Sequence, residues 1–130
     1  MTEIVNGWPP NISAIRAVLP VSRDNIFAYG GKIYVPGAYK LEPALIAHEQ
    51  VHFVQQGDDI DGWWEKFLKD KKFRLSQEIP AHQAEWRHFL MQNPGRKARR
   101  ARLKAMAKRL SAPMYGRMIS TSEAKKVILA

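Results

Sequence analysis

Apolar and polar residues alternate along this chain with two different periods, and each change of period marks an element. Between Leu41 and Gly57 the sequence reads Leu41-Glu42-Pro43-Ala44-Leu45-Ile46-Ala47-His48-Glu49-Gln50-Val51-His52-Phe53-Val54-Gln55-Gln56-Gly57. Pro43 suits the first turn of a helix and Gly57 the position just past its end, so one helix is predicted between them. Upstream, Ile12, Ile15 and Leu19 recur at helical spacing and predict a short helix that stops before Pro20. Asn25-Ile26-Phe27-Ala28-Tyr29 and Lys32-Ile33-Tyr34-Val35 are rich in β-branched and aromatic residues and flank Gly30-Gly31, the pattern of a two-residue β-hairpin. Val35-Pro36-Gly37-Ala38 then turns the chain into the long helix, against which the hairpin should lie.

Downstream, Asp58-Asp59-Ile60-Asp61-Gly62 reads as a solvated loop, with Asp61 as the cap of a short helix over 63–68 whose Trp63, Trp64 and Phe67 face the core. The loop lacks the spacing and distal Glu of a calcium loop. A further helix is expected over 76–91, either beginning only a few residues before Pro80 or kinking there. Residues 96–110 form a strong helix pattern with an apolar line at Leu103, Met106 and Leu110, and 121–130 reads as a capped terminal helix. The expected fold is α+β: a mainly helical single domain with a small β-hairpin packed on the 43–56 helix. Its core spans 1–93, and a basic helical extension over 94–130 packs on the same domain.

Composition narrows the chemistry. At 130 residues and 45% hydrophobic, the chain has material for one modest core. It has no cysteine, so any metal must be held by His, Asp or Glu. The formal charge of +9 is uneven: 10 Lys+Arg against 11 Asp+Glu over 1–93, and 11 against 1 over 94–130. The basic character therefore belongs to the extension. The N-terminus lacks a basic stretch followed by an apolar core, and no 18-residue apolar run occurs. Neither a transmembrane segment nor a signal peptide is expected, which places the chain in the cytoplasm at synthesis.

The stretch His48-Glu49-Gln50-Val51-His52 carries the most chemistry. Residues four apart on a helix share a face one turn along the axis, so His48 and His52 can converge on one metal ion, with Glu49 placed over a water molecule as a general base. The chain's own His and Glu usage gives such a match by chance only about 0.006 times. The plainer reading is a buried helix whose histidines only hydrogen-bond to neighbours. Two histidines leave a third ligand to be found among Glu78, Glu85, His82, His88 and the acids at 58–61. Glu78, His82 and Glu85 fall on one stripe of the 76–91 helix, beside an apolar stripe of Ile79, Trp86 and Leu90. An antiparallel helix would present that stripe directly, whereas a loop just past the first helix must double back; this favours Glu78, with Glu85 and His82 as alternatives.

Ile33-Tyr34-Val35-Pro36-Gly37-Ala38, Leu45-Ile46-Ala47-His48-Glu49-x-x-His52-x-Val54-Gln55-Gln56 and Glu78-x-x-Ala81, in that order, resemble the minimal zinc metallopeptidases of the gluzincin type. The likeness is greatest to small bacterial and phage-encoded peptidase-like domains, and it covers roughly 20–93. It implies a zincin-like fold and one Zn2+ per chain bound by His48, His52 and Glu78. It also implies Glu49 activating water for hydrolysis of a peptide or protein substrate, and association with a virion should the chain be phage-encoded. The sequence departs from related patterns: the metzincin continuation would need Gly at 55 and His at 58, where Gln55 and Asp58 stand. Many larger gluzincins carry Asp where this chain has His82, which leaves Glu85 as the substitute carboxylate behind the ligands. Tyr115 and His82 are the candidates for stabilising an oxyanion.

Two other functions fit the residues. A zinc site without turnover would suit a structural or assembly protein, such as one of a phage particle. The cationic faces of 96–110 could engage an anionic partner, namely nucleic acid, a cell envelope or an acidic protein, although no aromatic residue interrupts the basic run to stack on bases. The hairpin adds one more expectation: an exposed edge strand can take an extended peptide by backbone pairing.

Overall fold

In the computed structural model, which describes residues 2–130, Gly30 and Gly31 both take positive φ, 60° and 80°. These are the two left-handed positions of a type I′ turn, whose twist matches that of the strands it joins. The chain runs through β1 (Glu3–Val5), α1 (Ile12–Arg16), β2 (Phe27–Tyr29), β3 (Lys32–Tyr34), α2 (Pro43–Gln56), α3 (Ile60–Lys69), α4 (Lys71–Leu90) and α5 (Arg96–Leu110). A 3-10 turn at Pro113–Tyr115 and α6 (Thr121–Leu129) complete it. The fold is α+β and mainly helical. Strand order is β1-β3-β2, with Ala28 paired to Ile33 in the antiparallel hairpin and Ile4 paired to Ile33 in a parallel ladder. The sequence pattern did not foretell β1, because three residues carry no readable period.

Two helices start earlier than expected, and a capping aspartate explains each. α3 begins at Ile60, inside the expected loop, because Asp59 and not Asp61 caps it: the Asp59 carboxylate accepts from the Gly62 N–H at 3.0 Å. Asp61 instead accepts the Tyr29 hydroxyl at 2.7 Å. α4 begins at Lys71, five residues before the expected 76, because Asp70 accepts from the Phe73 N–H at 3.1 Å. Pro80 then lies within the helix, where it supplies no N–H to the Ser76 carbonyl; both residues are exposed. α1 is shorter than 12–19, yet the Leu19 N–H still reaches the Ile15 carbonyl at 2.8 Å and both side chains are buried.

Three apolar clusters hold these elements together. Ile15, Leu19 and Phe27 meet Trp63, Trp64, Phe67 and Leu68 of α3. Ile33, Val35 and Leu41 pack with Leu45, Ile46 and Phe53 and so join the sheet to α2. Trp86 of α4 meets Met106, Ala107 and Leu110 of α5 and Ala124 and Ile128 of α6. The helices of 94–130 therefore share a core with α4, and the apolar line read at Leu103, Met106 and Leu110 is the face that packs. α2 and α4 lie against each other at the centre, and the polar residues buried between them form the site. No helix among the described residues is long and apolar enough to cross a membrane.

Candidate metal centre

On α2, Pro43 opens the helix and Gly57, at φ 52°, closes it, which fixes His48 and His52 one turn apart on its inner face. Their ring centroids are 5.2 Å apart. Glu78 arrives from α4 between them: its Oε1 is 3.1 Å from His48 Nε2 and its Oε2 is 3.1 Å from His52 Nε2. The three donor atoms lie within 4.8 Å of one another, and all three residues are buried. Ligands about 2.1 Å from a tetrahedral ion stand roughly 3.4 Å apart, so small rotations of these side chains would admit a divalent cation. Among the described residues, this is the group of His, Asp and Glu donors with that convergence.

Each histidine is held from behind. Nδ1–H of His48 donates to Glu85 Oε1 at 2.9 Å, and Nδ1–H of His52 donates to Gln55 Oε1 at 2.8 Å. Both bonds orient the rings so that each Nε2 faces Glu78, to which the protonated His48 donates its Nε2–H at 3.1 Å in the metal-free chain. Gln55 is itself anchored, its Nε2 donating to the Gln77 carbonyl at 2.9 Å, three residues before Pro80. Glu85 is fully buried and is met by two cations of α5: Arg102 Nη2 at 2.8 Å and Arg109 Nη2 at 2.7 Å. Arg102 also pairs with Glu42, the residue before α2. The basic helix thus supplies two of its charges to the interior.

The charges follow from this packing. Burial opposes protonation of His48, but its bonds to Glu78 and Glu85 prevail and push it up to about 10. Burial raises the Glu78 carboxyl, yet His52 and His48 outweigh it and hold the group well below the usual carboxylate range. Glu49 behaves oppositely: burial lifts it above its ordinary value despite both histidines. Its Oε2 is 3.6 Å from His48 Nε2, beside the cluster but outside it.

The remaining candidates separate clearly. His82 donates Nδ1–H to the Glu78 carbonyl at 2.7 Å, while burial and the neighbouring His48 lower it to about 4, so it is neutral. Its Nε2 is buried without a partner among the described residues. His82 stacks edge-on to His48 at 4.8 Å and does not join the donor group. His88 is exposed, Asp58 is exposed, and Asp59 and Asp61 are engaged as described above.

A cavity of about 320 Å³ opens on the donor cluster. Ile15, Leu19, Phe27 and Trp63 give it an apolar lining, to which Tyr115 and Arg109 add polar groups. Burial and the nearby Glu78 raise the Tyr115 phenol well above its usual value, so it stays a neutral donor. The edge of β2 is less open than the sequence suggested, because the Ala28 carbonyl already accepts from Gln56 Nε2 at 2.7 Å and Trp64 Nε1 at 3.1 Å. Sequence reasoning missed Arg102, Arg109 and Gln55. The signal available for the arginines was their spacing of seven, which sets both on one helix face beside the apolar line.

Comparison of the chain with protein-family models, with curated proteins and with solved structures returned no match.

Proposed function

We propose that the chain is a zinc-dependent peptidase that holds its metal with His48, His52 and Glu78 and uses Glu49 as its base. One observation carries this reading: two imidazole Nε2 atoms and a carboxylate converge on one cavity with a second buried carboxylate beside them. Two nitrogens and one oxygen suit zinc, and three protein ligands leave a fourth position for water or substrate. Bound there, zinc would supply Lewis acidity, acidifying a water molecule and polarising an amide carbonyl.

The protein groups do the rest. Glu49 takes a proton from the attacking water as the C–O bond forms, then passes it to the departing amine as the C–N bond breaks. Burial lifts its carboxyl above the ordinary value, toward the acidity of the water it serves. Glu85 and Gln55 keep both Nε2 lone pairs forward, and the neutral Tyr115 hydroxyl offers a donor to the carbonyl oxygen as charge collects there.

Metal analysis and a hydrolysis assay test the proposal together. The expected result is one zinc per chain and hydrolysis of an unfolded protein, stopped by a chelator and restored by zinc. Zinc bound with no hydrolysis would favour the idle assembly protein, and a chain that takes up no zinc would end both readings. A separate observation keeps the anionic-partner reading in view: Arg96, Lys97, Arg99 and Arg100 are all exposed on α5. Its test is duplex DNA binding that weakens steeply with salt and survives removal of the metal.

A further inference from the structure

Arg109 does two things at once. Its Nη2 carries both of its bonds to Glu85, at 2.7 and 3.0 Å, and its Nε and Nη1 pair with no other described residue. The side chain is 45% exposed and lines the cavity that holds His48, Glu49, His52 and Glu78. It is the cavity's one Lys or Arg among the described residues. A guanidinium with free donors beside a hydrolytic centre is built to receive a planar anion.

Three observations select which anion. Three acids line the cavity as well, Asp24, Glu49 and Glu78, and they would repel a phosphate dianion more than a single carboxylate. Its volume, about 320 Å³, is at the small end for ligand pockets and fits a residue or two. The Ala28 carbonyl on the β2 edge is already occupied, which removes one rung of the ladder an extended chain would use.

We infer that the site takes the C-terminal end of its substrate, with Arg109 receiving the free α-carboxylate and the apolar wall receiving the last side chain. This rests on the peptidase reading above and makes the enzyme a carboxypeptidase rather than an endopeptidase. Arg109 is then a specificity-determining residue, distinct from the base and the metal ligands.

The test measures binding of N-acetyl-alanyl-phenylalanine and its C-terminal amide to the zinc-loaded protein by calorimetry, with Glu49→Gln as the background so that neither probe is consumed. The acid should bind at least about tenfold more tightly than the amide, the scale of one charge-assisted hydrogen bond. Arg109→Gln should abolish the preference, whereas Arg109→Lys should keep part of it. Arg102→Gln removes the other α5 cation on Glu85 and should leave the preference intact. Equal binding of acid and amide by the Glu49→Gln background, or a preference that survives Arg109→Gln, would overturn the inference. Hydrolysis by the wild-type enzyme is scored separately: cleavage of both probes at equal rates overturns the carboxylate assignment alone. Cleavage of neither, with the binding preference intact, ends the peptidase reading and leaves the carboxylate site standing.

Discussion

Glu85 Oε1 lies 2.9 Å from His48 Nδ1, and the same carboxylate is gripped by Arg102 and Arg109 from the basic helix. The orientation of one candidate ligand is thereby tied to residues 17 and 24 positions beyond Glu85. Replacing Glu85 with Gln should lower zinc affinity about 10- to 100-fold, as loss of a carboxylate behind a ligating histidine typically does. Competition with a chromophoric chelator measures this; an unchanged affinity would show that Glu85 serves the fold alone.

Glu49→Gln separates the base from the ligands. The variant should retain one zinc per chain, because Glu49 stands outside the donor group. Its turnover should fall about 10²- to 10⁴-fold. Turnover close to wild type would remove Glu49 from the mechanism.

Without metal, His48 is protonated at neutral pH, its pKa pushed up to about 10 by Glu78 and Glu85. Zinc must displace that proton, and His52 is raised by Glu78 as well, so uptake near neutral pH should release at least one proton, and affinity should rise with pH until about 10. Calorimetry in two buffers of different ionisation enthalpy reads the release directly. The same shift makes a statement about the metal-free fold: the stabilisation from the charged imidazole is fully present below the ordinary histidine value and is lost as pH rises toward about 10. Glu78 and Glu85 act in the opposite direction, since their depressed values stabilise the fold above the ordinary carboxylate value and that contribution fades as pH falls below it.

Met106→Ala tests whether the C-terminal helices belong to the same folding unit as the site. Met106 is fully buried against the cluster that includes Trp86 of α4. Its truncation should cost about 2–5 kcal/mol in chemical denaturation. Zinc affinity should fall with it, because a loosened α5 relaxes the two arginines on Glu85.

What the sequence disclosed was local. The Pro43 and Gly57 boundaries, the Gly30-Gly31 turn and the spacing of His48 and His52 each rest on neighbours a few residues apart, and the structure has each of them in place. Glu78 also lies between the two histidines, because the stripe that carries it is visible as a periodicity. The pairing of β1 with β3 was hidden, since Ile4 and Ile33 are far apart in sequence and their meeting depends on the whole chain. The first turns of α4 were hidden too, because Lys71 and Lys72 give no apolar period and Pro80 argued against a helix on both sides of it. Asp70 was the missed clue.

The closeness of Glu85 to α5 has a practical meaning for anyone dissecting the molecule. Expressing residues 1–93 by themselves, as the change in charge along the chain would invite, removes both arginines that Glu85 contacts and strips the apolar cover from Trp86. Such a fragment would leave Glu85 with His48 as its remaining charged partner in a half-open interior. Its failure to take up metal would then reflect the position of the cut, and would leave the metal affinity of His48, His52 and Glu78 in the intact chain unmeasured.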